Sequence, residues 1–107
     1  MNKLYFLETN GGYMTVATNA DGRACYMWQD GKEENYPVNN PSWDGAEPKQ
    51  RKQIAKNYLE ALKSWNDFDS LYSDCDTSSG YTGVFTAAEF AEDLESGASS
   101  ILAEIDF

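Results

Sequence analysis

Three glycine-bearing turns decide what the first third of this chain can become. Asn10-Gly11-Gly12, Asn19-Ala20-Asp21-Gly22 and Asp30-Gly31 cut it into short apolar runs. Gly and Asn accept positive φ and so permit tight reversals. Runs this short, rich in aromatic and branched residues, have the length of strands rather than helices. Residues 3–9 make the first. Residues 13–18 alternate, with Met14 and Val16 on one face and Thr15 on the other. Residues 23–29 follow, with Cys25 and Met27 opposite Tyr26 and Trp28. Asp30-Gly31 is a hairpin signal, after which residues 32–36 add a short edge strand ended by Pro37. Strands joined by such short turns form a meander, whose order in the sheet follows the sequence.

The rest of the chain changes period. Residues 37–47 read as a loop, with Trp43 anchoring it on the core; an exposed recognition tryptophan is the alternative. Residues 48–65 read as a helix, because proline suits the first helical position. Ile54, Tyr58, Leu62 and Trp65, with Ala55, Leu59 and Ala61, make its apolar stripe. That stripe is expected on one face of the sheet. Phe68, Leu71 and Tyr72 suit a short second helix, and residues 76–83 a loop. Thr86 and Glu89 have the spacing of a capping box, Phe85 and Phe90 that of a hydrophobic staple, and Gly97 marks a stop. Residues 100–107 alternate as a returning strand would, and a helical turn is the alternative. The expected fold is one α+β domain over residues 1–107. It is an antiparallel β-meander of three to four strands packed against two or three helices.

Much chemistry is excluded by what is missing. The chain has no histidine, which removes every Ser-His-Asp and Cys-His scheme within it. Its two cysteines, Cys25 and Cys75, are too few for a zinc or iron–sulfur site. They read as reduced thiols, and spacing leaves a single bridge open. Asp67-x-Asp69 and Asp74-x-Asp76 have the spacing of oxygen ligands for calcium. An EF-hand loop needs glycine at its sixth position and glutamate at its twelfth. Counting from Asp74 these are Ser79 and Phe85, and from Asp67 they are Tyr72 and Ser78, so that pattern fails and only an irregular site stays open. Gly11-Gly12 joins two strands with no following helix or lysine, unlike a phosphate loop. Trp28, Trp43 and Trp65 suit core packing, with sugar stacking as the alternative. The apolar run at residues 4–7 is too short to span a membrane or to serve as a signal peptide. No cofactor, metal or catalytic residue is expected, and the compartment is the cytoplasm.

Charge carries the functional information. The net charge is −10, and all eight Lys and Arg lie at or before Lys63. Eight acids precede Ser64, so residues 1–63 sum to zero. The other ten acids follow with no base: Asp67, Asp69, Asp74, Asp76, Glu89, Glu92, Asp93, Glu95, Glu104 and Asp106. Glu89, Glu92 and Asp93 share a helix face opposite Phe90 and Leu94. A field of one sign attracts a basic partner over roughly 8 Å at physiological salt. It also repels nucleic acid and acidic membranes. Five bases cluster on the helix at residues 48–65, a stripe suited to phosphate or to the acidic half of a second copy.

Length, the −10 charge, the missing histidine and the acids from Asp67 to Glu95 give a profile that resembles the small acidic anti-CRISPR and antirestriction proteins of phages. The likeness lies in properties of the chain, not in aligned residues. It implies a stoichiometric, non-enzymatic inhibitor that blocks the nucleic-acid groove of a CRISPR effector nuclease or other basic nucleic-acid-binding protein. Its expected contact surface comprises Asp67, Asp69, Asp74, Asp76, Glu89, Glu92, Asp93 and Glu95, with Tyr72 and Tyr81 as aromatic anchors. Monomer and dimer both fit the charge pattern. A protein-interaction adaptor without mimicry is the rival.

Overall fold

The structure, a computed structural model, describes residues 1–30, 36–38, 41–76 and 80–107. Strands β1 (Lys3–Thr9), β2 (Gly12–Thr18) and β3 (Arg23–Asp30) form the expected meander. Two further strands complete one antiparallel sheet: β4 (Thr82–Thr86) beside β3, and β5 (Ser99–Asp106) beside β1. The sheet order is β4-β3-β2-β1-β5. The fold is therefore α+β, with one more strand than the meander alone predicts. The edge strand expected at residues 32–36 falls on residues 32–35, outside the described residues, and on Tyr36, which lies in a turn with Pro37 and Val38.

Alternation divides the sheet into two unequal faces. Leu4, Phe6, Ala17, Cys25 and Ile105 point to the larger core. It is closed by helices α1 (Pro41–Asp44), α2 (Pro48–Trp65) and α3 (Phe68–Asp76). Leu7 and Val16 point the other way and meet Phe90 of α4 (Ala87–Glu95). The 37–47 segment is thus not all loop, since α1 carries Trp43 into the core, 2% exposed. The Trp43 ring meets Tyr13 and Phe6 edge-on at 5.4 and 5.9 Å between centroids. Arg51 lies over its other side, 5.4 Å from the centroid, and donates from Nε to the Trp43 carbonyl at 3.1 Å.

Helix α2 starts at Pro48, and Gln50 reaches back to accept the Glu47 N–H at 2.8 Å. Ala55 and Leu59 are its buried centre, against β1 and β5. Trp65 corrects the stripe, being 86% exposed at the last helical position. The helix stops there, and Asn66 is already extended. Ala61 is exposed as well.

Strand β4 overlaps the segment expected to be a loop. Its Gly83 weakens the strand signal in the sequence, yet the position is well packed. The Tyr26 ring lies across it, and a Cβ there would come within 2.6 Å of the Tyr26 hydroxyl. Gly12 does the same for Trp28, where a Cβ would sit 2.7 Å from the indole and 2.3 Å from the Gln29 carbonyl. Both rings lie against a neighbouring glycine that has no side chain: Gly83 directly opposite Tyr26, and Gly12 diagonal to Trp28.

Helix α4 begins as its sequence signals. Glu89 N–H donates to Thr86 Oγ1 at 3.1 Å, and Thr86 N–H donates to Glu89 Oε1 at 3.1 Å. The Phe85 and Phe90 rings meet at 6.0 Å. Gly97, at φ +77°, takes the left-handed position after the helix. Thr86→Ala removes the cap acceptor and is expected to cost about 1 kcal/mol, lowering the thermal midpoint by about 4–8 °C in a melt followed by circular dichroism. Among the described residues no helix is long and apolar enough to cross a membrane.

Candidate functional site

The ten acids after Ser64 are not gathered on one face. Those of α3 lie over the larger core, because Phe68, Leu71 and Cys75 turn inward against Cys25. Those of α4 lie over the opposite face, because Phe90 turns inward against Leu7 and Val16. Helix α3 packs on β3 and β4, whereas α4 starts at β4 and crosses the sheet to β5. The acids therefore cover both faces of the sheet, and those at the end of α4 lie toward β5. Glu104 and Asp106 lie apart on β5, each ion-paired with Lys3 at 3.5 and 3.3 Å. The Asp106 contact, with that of Glu104, holds the Lys3 ammonium above its ordinary range.

On the larger-core face, α2 packs on β1 and β5 and carries exposed Lys49, Lys52, Lys56 and Lys63. The charge asymmetry of the sequence thus divides among the helices: α2 carries the lysines, while α3 and α4 carry acids and no base. An acidic helix surface attracts basic groups over a Debye length.

Several of the acids also have work inside the fold. Asp67 Oδ1 accepts the Ser70 N–H at 2.8 Å at the start of α3. That bond, with one from the Ser70 side chain, holds the Asp67 carboxyl below the ordinary carboxylate range. A depressed folded value contributes stability that is present above the unfolded carboxyl range and is lost as pH falls through the folded value. Asp67→Ala is therefore expected to lower the unfolding midpoint at neutral pH, and the gap from wild type narrows in matched melts as pH falls below the ordinary carboxylate range. Asp69 pairs with Arg23 at 3.4 Å, and Arg23 also holds Asp21 at 3.1 Å. The Arg23 guanidinium sits 5.3 and 5.1 Å from the Phe68 and Tyr72 ring centroids. One arginine on β3 thus fastens α3 to the sheet. Glu89 closes the capping box. Exposed Glu92, Asp93 and Glu95 on α4, and exposed Asp74 and Asp76 on α3, face outward.

The two expected anchors differ. Tyr72 is half-buried between Phe68, at 5.7 Å, and Arg23, so its ring is committed to the fold. Tyr81 is 47% exposed and stacks on Trp28, with centroids 5.8 Å apart and planes 10° from parallel. Trp28 Nε1 donates to Thr9 Oγ1 at 3.3 Å, and Trp28 N–H donates to the Tyr81 carbonyl at 2.7 Å. This pre-arranged aromatic pair sits on the face that α4 shares. Sequence reading missed Trp28 as its second member, and the signal was Gly12, whose missing side chain lets the indole lie flat.

A crevice of about 340 Å³ beside the β1–β2 turn brings Glu8 and Asp44 to one cleft with Tyr13, Trp43 and Arg51. Trp43 and Arg51 there are engaged with each other. Among the described residues no group of three or more metal-ligating side chains is brought together. No family model, curated protein or solved structure matches this chain.

Proposed function

We propose that the protein is a non-enzymatic inhibitor whose acidic surface occupies the nucleic-acid-binding groove of a CRISPR effector nuclease or similar defence nuclease in the cytoplasm. One observation carries this reading: every acid from Asp67 to Glu95 lies on or at the start of α3 and α4, which cover opposite faces of the sheet and carry no base, while the lysines gather on α2. Carboxylates on such helices meet the Lys and Arg that otherwise neutralise phosphates. Long-range attraction comes from this field, and the Trp28–Tyr81 pair supplies a rigid anchor that loses little entropy on docking. A pull-down from bacterial lysates holding CRISPR and restriction systems, washed at low and high salt, tests it. Enrichment of a nucleic-acid-binding protein that high salt removes supports the proposal.

Trp65 favours the rival adaptor reading, because an indole 86% exposed is a ready apolar contact. Salt-resistant capture of a protein without a nucleic-acid role, abolished by Trp65→Ala, supports that reading instead.

A further inference from the structure

Cys25 and Cys75 are both 1% exposed, and both belong to the larger core. Cys25 sits on β3 and Cys75 in the last turn of α3, fifty positions later (75 − 25 = 50). Helix α3 packs on β3, the two thiols influence each other in that contact, and neither is in a disulfide. Two neighbouring thiols become a disulfide by losing two electrons and two protons.

We propose that Cys25 and Cys75 form an oxidation site, converted by a peroxide into an internal disulfide that ties α3 to the sheet. The two thiols meet within the larger core. That contact pushes the Cys25 thiol up and draws the Cys75 thiol down from its ordinary range, so Cys75 ionises first. Opening of the last turn of α3 exposes it, since helix ends open most readily. The Cys75 thiolate attacks one oxygen of hydrogen peroxide, breaks the O–O bond and becomes a sulfenic acid, while the departing hydroxide takes up a proton as water. The Cys25 sulfur then displaces the sulfenic oxygen as a second water, forming the S–S bond. Two thiols are oxidised by two electrons, and one peroxide is reduced to two waters. A bond closing a fifty-residue loop restricts the unfolded chain strongly. The oxidised protein keeps the α3 acids fixed where the reduced one relies on packing and on Arg23. This device is independent of what the acidic surface binds.

The test treats the folded, reduced protein with hydrogen peroxide and follows intact mass, non-reducing peptide mapping and thermal unfolding. The expected result is loss of two hydrogens, one peptide pair linking Cys25 to Cys75, and a midpoint raised by about 10–20 °C that a reductant reverses. Cys25→Ser and Cys75→Ser each abolish the link and the rise. Thiols that stay free under these conditions, links between molecules, sulfinic acid at either cysteine, or an internal bond that lowers the midpoint would each overturn the proposal. Wild type alone delivers these outcomes if a serine variant fails to fold.

Discussion

Replacing Trp43 by alanine is expected to cost about 3–5 kcal/mol, a large share of the roughly 5–15 kcal/mol that holds a domain this size together. The indole is the largest fully buried side chain among the described residues, and it joins α1 to both Phe6 and Tyr13 of the strands. Its removal leaves a cavity bounded by rings that cannot collapse inward, and it takes away the surface on which Arg51 rests. Arg51 also loses nothing of its charge, so its guanidinium faces a void. The thermal midpoint is expected to fall by about 15 °C or more. Trp43→Phe, which keeps a ring in the same space, is expected to lose less than half as much. Chemical denaturation with both variants checks the order, and an alanine variant within about 1 kcal/mol of wild type would show that the segment is not anchored here.

The second large effect is on binding. Lysine at Glu92, Asp93 and Glu95 together is expected to weaken capture of the basic partner about 100-fold at physiological salt and to flatten its salt dependence. Glu89 is left untouched because its carboxylate closes the capping box, and its reversal would confuse a loss of helix with a loss of contact. Asp69 is left untouched because it holds Arg23. Reversal of Asp74 and Asp76 on the opposite face forms the comparison. If the partner docks on the face of α4 with the Trp28–Tyr81 pair, the α4 reversals act far more strongly than the α3 pair. Titration by anisotropy at several salt concentrations separates the two faces. Equal, small effects from both sets would remove electrostatic mimicry and leave the adaptor reading.

How much of this was legible in the sequence follows from how local each signal is. The first three strands were written in alternation and turn glycines, and α4 in Thr86, Glu89 and Gly97, because caps and turns act within a few residues. Trp43 was legible as an anchor because no other large apolar group lies in its segment. Strand β4 was not, since Gly83 weakens a strand locally and only the Tyr26 ring, from another strand, restores the packing. Trp65 fits the helical spacing from Leu62, yet the helix ends there, so it has no surface to meet. The acids after Ser64 were legible as a charge, not as a place. Whether they share a face depends on α3 and α4 crossing opposite sides of the sheet, and that is set by β4 running between them. Tyr72 and Tyr81 looked alike as anchors until Arg23 was seen to cover one and Trp28 to support the other.

The central claim is that the acidic surface takes the place of nucleic acid, and competition tests it most directly. A labelled duplex is bound to the captured nuclease, and this protein is titrated in while anisotropy follows the duplex. The account predicts full release of the duplex, saturating at one copy per nuclease, with an apparent affinity that falls steeply as salt rises. A nuclease that holds duplex and protein together, with anisotropy rising instead of falling, would contradict it.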